Sequence, residues 1–165
     1  MPRQAPLDSV RRYQVASVVG LTIIHIFGFD SPDALPLAEK CGIAFQLTNI
    51  LRDIREDSEN HRIYIPSEDI QRFGANLATY DANFIELLRF EAARARAYYD
   101  ESRPLIGLVD KNSRRSLWAL IEIYRRLLAR IERQNFNVLD RRARVPTPEK
   151  LGILASAILR LRFKT

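Results

Sequence analysis

The sequence predicts an all-α protein that forms one helical domain over residues 1–165. Glycine occurs only 6 times among the 165 residues, while leucine, isoleucine, alanine, arginine and glutamate are abundant, and this composition favours helices. No segment has the pattern of a strand. Because 47% of the residues are hydrophobic and 28% are charged, the composition is that of a globular chain, and the length suffices for one hydrophobic core.

Capping residues and helix breakers set the bounds of the first two predicted helices. The first runs from Asp8 to about Phe27 and ends at Gly28. Gly20 lies on a face of small residues, which allows another helix to pack closely against it. The second predicted helix covers residues 33–57 and contains the most informative part of the chain.

Prolines and the spacing of apolar residues define the remaining elements. Pro66 disfavours a helical conformation at Ile65, so the segment before it is extended and Ser67 begins a short helical turn. Pro104 stops the third helix, the apolar residues of the fourth recur at intervals of three and four, and Thr147 caps the fifth. The predicted bounds are 67–74 for the turn and 81–102, 113–136 and 147–163 for these three helices.

The chain is strongly basic, with a formal net charge of +6 and a pI near 9.8. This charge suits an anionic partner, and nucleic acid, a phosphorylated substrate and an acidic membrane surface all satisfy the condition. The single Cys41 excludes an intramolecular disulfide and a cysteine metal cluster. The longest stretch without Asp, Glu, Lys or Arg, residues 13–29, falls short of a membrane-spanning helix. We therefore expect a cytoplasmic protein that is able to contact a membrane peripherally.

The second predicted helix has a polar stripe beside its apolar face. At about 100° per residue, the stripe occupies an arc of about 80° over three turns. It consists of Gln46, Asn49, Asp53 and Asp57. The adjoining sector contains Leu47, Ile50, Leu51 and Ile54. A polar stripe that borders the apolar face of a helix is placed to line a cavity.

Two interpretations of this stripe stay open on spacing alone. In a solvated helix, arginines would pair with glutamates four residues further on, as at Arg52–Glu56 and Arg55–Glu59. Asp53 and Asp57 do not fit this interpretation, because like charges four residues apart cost about 0.2–0.5 kcal/mol on an isolated helix. Two such carboxylates can instead share a Mg²⁺ ion, to which Asn49 can add a neutral oxygen ligand.

The segment from Gln46 to Pro66 resembles the second aspartate-rich signature of squalene and phytoene synthases. The matching string is Gln46-x-x-Asn49-x-x-Arg52-Asp53-x-x-x-Asp57, followed by Arg62-x-Tyr64-x-Pro66. Residues 15–20 and the segment from Tyr124 to Arg142 are similar to flanking regions of the same family. The resemblance covers residues 7–161, is strongest to the bacterial branch, and implies an isoprenoid-synthase-type helical bundle.

The resemblance implies a Mg²⁺-dependent prenyltransferase that joins two prenyl diphosphates, farnesyl or geranylgeranyl, head to head. The implied metal ligands are Asn49, Asp53 and Asp57. The two aspartates would be catalytic together with Tyr124, whose aromatic face can stabilise positive charge. The implied substrate-binding residues are Gln46, Asn49, Arg52, Arg62 and Tyr64.

Three of these residues have simpler explanations when they are considered alone. Arg62 could pair with Glu59 or Asp69 at the surface, Tyr64 could belong to the core, and Tyr124 fits ordinary helix packing. Only the ordered string as a whole therefore indicates a site.

The chain departs from the family pattern upstream, because it does not contain the family's first aspartate-rich motif. We expect that the N-terminal helices and about half of the metal site must come from a separate N-terminal half or from a homo-oligomer. Apolar surface left exposed by missing helices would favour self-association or membrane contact. Two local departures are His61, where the family usually has Gly before the diphosphate arginine, and Phe136, where it has Tyr.

Two other functions remain open. A non-catalytic helical interaction or assembly protein could derive from the same fold, although it would have no need of the retained polar string. A nucleic-acid binder would use the arginines within residues 141–144 and 89–96. Because no recognised nucleic-acid motif accompanies them, we expect no nucleic-acid partner.

Overall fold

The structure is a computed structural model that describes residue 18 and residues 20–160. Within these residues seven helices follow one another, and the pairing of extended backbone is limited to a single bridge between Phe29 and Val109. The helices are α1 (20–27), α2 (Ala34–Glu59), α3 (Ser67–Phe73), α4 (Ala82–Glu101), α5 (Leu105–Leu108), α6 (Arg114–Arg133) and α7 (Thr147–Arg160). The all-α prediction is confirmed.

The predicted helix bounds agree with the structure to within two residues, except at the end of the fourth helix. That helix does not continue to Phe136 but ends at Arg133. Asn135 and Phe136 have φ values of 51° and 61°, a left-handed conformation that stops a right-handed helix. The four-residue α5 has no counterpart in the prediction, because so short an element has no periodic signal. Residues 8–17 and 19 of the first predicted helix and residues 161–163 of the last lie outside the described residues.

Helix α2 lies at the centre of the core and packs mainly against α4, with α6 beside them. Its buried Thr48 Oγ1 donates a hydrogen bond to the Ala44 carbonyl at 2.8 Å. The Tyr99 hydroxyl of α4 lies 2.8 Å from the same oxygen and is therefore the donor in that contact, since a hydroxyl has one proton. The two helices are thus joined by apolar packing and by a buried, satisfied hydrogen bond.

Helix α1 approaches the backbone of α2 closely at Gly20. A Cβ atom added to Gly20 would lie 2.3 Å from the Ala38 carbonyl oxygen and 3.2 Å from the Gly42 Cα. The close packing predicted for this glycine is confirmed. No larger residue fits there unless α1 moves away from α2.

Helix α7 packs on the side of α6 that faces away from α2. Ala119 of α6 forms a separate apolar cluster with Ile153 and Ala157. At the start of α7, Glu149 Oε1 lies 3.1 Å from Arg126 Nη1, and its other oxygen contacts Arg130.

The outer face of α7 is apolar and open to solvent. Its residues Leu151, Leu154, Ile158 and Leu159 are 60%, 46%, 54% and 57% exposed. Helix α1 has a similar exposed residue, Ile26. In the described part of the chain, no helix is both long enough and apolar enough to cross a membrane.

A buried group of charges ties α3 to α4. The Glu91 side chain is only 2% exposed, and Arg94 Nη1 lies 3.1 and 3.2 Å from its two oxygens. The same nitrogen lies 3.1 Å from Asp69 Oδ2 of α3. Burial raises the pKa of Glu91 to about 7; Arg94 opposes this shift, and the neighbouring Asp69 adds to it.

We predict that Gly20→Ala lowers the free energy of unfolding by about 1–3 kcal/mol, because the new methyl group overlaps the Ala38 carbonyl. The matched control is Gly152→Ala in α7, where an added Cβ meets nothing within 4 Å. This control should stabilise the chain by about 0.5–1 kcal/mol. Urea denaturation followed by circular dichroism measures both changes, and equal effects of the two substitutions would contradict the close approach of α1 and α2.

We also predict that the stabilising effect of Glu91 depends on pH. Because folding raises the pKa of Glu91 from 4.5 to about 7, its contribution is fully present below pH 4.5 and is lost as the pH rises through 7. In the wild type, the free energy of unfolding should decline by about 1–3 kcal/mol across this pH window. Glu91→Gln should remove this decline, because glutamine does not titrate. Denaturant unfolding of both proteins at several pH values tests this, and parallel stability curves would show that Glu91 does not titrate in the window.

Candidate functional site

The polar stripe of α2 is half-buried along the edge of the core. Gln46, Asn49, Asp53 and Asp57 are all partly shielded from solvent. The four apolar residues predicted beside them are buried, namely Leu47, Ile50, Leu51 and Ile54. Since an α-helix fixes the angle between its side chains, burial of the apolar face determines where the stripe lies.

Asp53 lies between two arginines. Arg52 Nε donates to Asp53 Oδ1 at 2.8 Å, and Arg52 Nη2 contacts Oδ2. Arg142 Nη2 and Nε lie 2.7 and 3.0 Å from Oδ1. Burial raises the pKa of Asp53, but the hydrogen bonds and charges of Arg52 and Arg142 outweigh burial and hold this pKa below its ordinary value. Asp53 is therefore ionised at neutral pH.

Arg142 also reaches a second carboxylate, since its Nη1 lies 3.1 Å from Glu56 Oε2. Arg52 does not form the pair with Glu56 that the solvated-helix interpretation allowed, because its guanidinium turns to the half-buried carboxylate of Asp53, where solvent screens the attraction less. The other expected pair is confirmed, with 2.9 Å between Arg55 Nε and Glu59 Oε1.

The surroundings of Asp57 shift its pKa in the opposite direction from the pKa of Asp53. Burial raises the pKa of Asp57, and the negative charges of Asp53 and Glu56 add to the increase, while Arg62 and Arg142 oppose it. Among the described residues, no single cation therefore compensates Asp57 as Arg52 compensates Asp53.

Arg62 and Tyr64 lie beside Asp57 and share a narrow cavity with it. The Arg62 backbone N–H donates to the Asp57 carbonyl at 2.8 Å, and the Arg62 side chain is exposed. His61 has a φ of 56°, a left-handed conformation in which glycine is more easily accommodated, and this explains a Gly at that position in the family pattern. The surface pairs considered for Arg62 do not form, because Glu59 pairs with Arg55 and Asp69 with Arg94.

Asn49 lies one turn before Asp53 on the same face of α2. Its Oδ1 is buried and, within the described residues, has no hydrogen-bond partner. A buried acceptor without a partner has lost its hydrogen bonds to water and gained none in exchange, which costs about 1–3 kcal/mol of stability. Such an oxygen points to a ligand.

A basic cleft of about 330 Å³ opens next to Asp53. Its four cationic side chains are Arg52, Arg142, Arg144 and Lys150. The apolar wall includes Tyr124, whose ring lies 4.5 Å from that of Phe45 between centroids, so Tyr124 packs against the core and also faces the cleft. Sequence spacing could not show that Arg144 and Lys150 line the same cleft as Arg52, because they lie more than 90 residues further along the chain.

The arginines of α4 do not contribute to this basic surface, because each is paired with an acidic side chain. Arg89 contacts Glu86, Arg94 bridges Asp69 and Glu91, and Arg96 pairs with Glu132. This pairing removes one of the two arginine runs that a nucleic-acid binder would use.

The stripe fits a hard divalent cation. Asn49 supplies a free oxygen, and Asp53 and Asp57 supply carboxylates at intervals of four residues along one helix face. Mg²⁺ typically takes one or two protein carboxylates and completes its shell with water and substrate phosphate. Among the residues that the structure describes, no group of three or more His, Cys, Asp and Glu side chains is placed to hold a metal. The stripe would therefore supply only part of a coordination shell.

The sequence pattern of squalene/phytoene synthases matches residues 12–149. The chain belongs to the squalene/phytoene synthase family. A 15-cis-phytoene synthase from Synechocystis is 38% identical to it, over 90% of this chain and 49% of the relative. A phytoene synthase from Mycobacterium tuberculosis is also 38% identical, over 87% of this chain and 50% of the relative. The chain thus spans about half the length of the curated relatives it matches.

Solved structures of this family share the fold. A dehydrosqualene synthase in complex with a ligand superposes with a TM-score of 0.81 and 30% identity, over 94% of this chain and 56% of that chain. A squalene synthase from Alicyclobacillus acidocaldarius has a TM-score of 0.70 and 29% identity, over 76% of this chain and 51% of that chain. The isoprenoid-synthase fold implied by the sequence resemblance is confirmed.

We predict that Asn49→Leu stabilises the protein in the absence of ligands by about 1–3 kcal/mol, because it replaces an unpartnered buried oxygen with an apolar group of similar size. Gln46→Leu, at a half-buried position of the same stripe, is the matched control and should change stability less. Thermal and urea unfolding measure both. A destabilised Asn49→Leu protein would show that Asn49 already has a partner.

Proposed function

We propose that this chain provides the second metal-binding and diphosphate-binding half of a Mg²⁺-dependent prenyltransferase that condenses two prenyl diphosphates head to head. The observation that carries the proposal is the buried, unpartnered Oδ1 of Asn49 on one helix face with Asp53 and Asp57, next to the basic cleft. Family membership supports it, since relatives are named phytoene, squalene and dehydrosqualene synthases and the family is in general metal-dependent.

In this proposal Asn49, Asp53 and Asp57 hold Mg²⁺. The bound ion would stabilise the negative charge that develops on the leaving diphosphate. Asp53 is ionised at neutral pH because its pKa is lowered, so it offers a charged ligand. Gln46 is half-buried on the same face and lines the approach to these ligands.

Three further residues would position the diphosphate. Arg52 faces the basic cleft, and its guanidinium is held in place by Asp53. Arg62 presents an exposed guanidinium beside Asp57, and Tyr64 lines the same cavity. A planar guanidinium can donate two parallel hydrogen bonds to a phosphate group, which favours orientation as well as attraction.

Tyr124 would face the reacting prenyl chains. Its ring is fixed by contact with Phe45, and it forms part of the wall of the cleft. An aromatic face held beside a developing carbocation stabilises its positive charge without the chemical reactivity of a carboxylate. Farnesyl and geranylgeranyl diphosphate have the same reactive head group, so both fit this arrangement.

We further propose that turnover requires the family's first acidic motif, supplied by an N-terminal half or by a second copy of the chain. The exposed apolar residues of α1 and α7 support this, because they offer surface for additional helices. The same exposed faces favour the alternative of a non-catalytic interaction protein, for which metal binding would be dispensable. Peripheral contact with a membrane would bring the apolar substrate to the site.

We predict that Mg²⁺ together with a non-hydrolysable farnesyl diphosphate analogue raises the melting temperature of the chain. A ligand that binds only the folded state at 100 times its dissociation constant adds about 2.7 kcal/mol to stability. Asp53→Ala/Asp57→Ala should abolish the Mg²⁺-dependent part of the shift. Thermal shift titration with and without Mg²⁺ measures it.

The matched control for this experiment is Asp30→Ala/Asp33→Ala, which removes two exposed carboxylates outside the stripe. This control should keep the full shift. A wild-type chain that is well folded yet shows no shift would refute a working diphosphate half-site and favour the interaction protein.

A further inference from the structure

The side chain of Arg142 lies at the boundary between two open clefts. It lines the basic cleft of about 330 Å³ and also a neighbouring cleft of about 430 Å³ at the end of α2. Its backbone belongs to the segment between α6 and α7, where the next residue, Ala143, is buried. The main chain is therefore anchored, while the side chain, which is 42% exposed, has open space on both sides.

The Arg142 guanidinium occupies acceptor positions on Asp53 Oδ1 that a cation bound to this oxygen would need. Three guanidinium nitrogens lie within 3.0 Å of Asp53 Oδ1, two from Arg142 and one from Arg52. Arg52 also contacts Oδ2. An ionised carboxylate has about four lone-pair sites in total. A Mg²⁺ ion bonds at about 2.0–2.1 Å, so it cannot reach Oδ1 unless a guanidinium leaves.

Of the two arginines, Arg142 is the one that can leave. Arg52 precedes Asp53 directly on the same helix, and its side chain is only 24% exposed. Arg142 comes from another part of the chain and already shares its charge with Glu56, at 3.1 Å and in a more exposed position. Its guanidinium can therefore leave Asp53 while its charge is compensated by Glu56, which lines the neighbouring cleft, or by an anion in the basic cleft.

We propose that Arg142 is a positioning residue that competes with the metal ion for Asp53 and is drawn away by the diphosphate. This inference rests on the proposed function. Without a diphosphate, Arg142 stays on Asp53 and weakens metal binding. When a diphosphate enters the basic cleft, its oxygens offer the guanidinium an alternative bidentate acceptor, and Asp53 becomes available to the cation.

The consequence is that metal and diphosphate bind cooperatively. Each ligand removes the same obstacle for the other, so the coupling must be equal in both directions. A chain that binds metal weakly by itself would hold it firmly only when the substrate head group is present. Arg142 would thereby make the Asp53 carboxylate available to the metal ion only when the diphosphate is bound.

The test is a titration of the full chain with Mn²⁺ alone, which replaces Mg²⁺ as a paramagnetic probe, followed by electron paramagnetic resonance. We expect Arg142→Gln to bind Mn²⁺ about 5–150-fold more tightly than wild type, the usual range of coupling between sites. Arg142→Lys keeps the charge but loses the fork, and it should give an intermediate affinity. Thermal melts of each variant establish that the fold is retained.

The matched control is Arg144→Gln, which removes the same charge from the same cleft two residues further along. A gain in affinity that is much larger for Arg142→Gln than for Arg144→Gln supports the proposal. Equal gains would mean that only long-range charge matters, and the proposal would be overturned while the metal site stands. If Mn²⁺ binds none of the variants, the metal site itself is wrong, and the proposed function fails with it.

Discussion

The position of α2 in the core is the constraint on which the rest of the structure depends. One side of this helix meets α1 at Gly20 with no space for a side chain, and another is joined to α4 through Thr48 and Tyr99. These contacts leave the helix little freedom to rotate or slide. Because side-chain directions on a helix are fixed relative to one another, the same contacts place the polar stripe at the edge of the core.

The two carboxylates of the stripe differ in their electrostatic environment although they lie one turn apart on one helix. Asp53 has guanidinium groups in direct contact, which lower its pKa, while burial and the charges of neighbouring acids raise the pKa of Asp57. Paired acids whose environments push their pKa values apart are typical of sites that bind charged ligands.

The distribution of apolar surface is uneven, and this agrees with a chain that spans about half the length of its relatives. Large apolar residues are exposed on α1, on α7 and at Ile63, near the stripe. The arginines of α4 are paired with acids instead. The exposed apolar faces are the surfaces that the proposed function assigns to additional helices, whereas the arginines on α4 already have acidic partners among the described residues.

The sequence by itself determined the helical class, most helix bounds and the stripe on α2, because periodicity, caps and breakers act over a few residues. It also identified the close packing at Gly20, since only a small residue permits such an approach. It could not predict that α6 ends early. The left-handed conformation of Asn135 and Phe136, which ends this helix, depends on contacts that form only when the chain folds.

Only the tertiary structure decided which charges meet at Asp53. Arg142 is separated from Asp53 by 89 positions, and Lys150 reaches the same cleft from α7. Sequence spacing predicted the local pair Arg52–Glu56, but burial of Asp53 made it the better partner for Arg52 and left Glu56 to Arg142. Local spacing shows which charges are able to meet along one helix, whereas the solvent exposure that ranks those pairings exists only after the chain has folded.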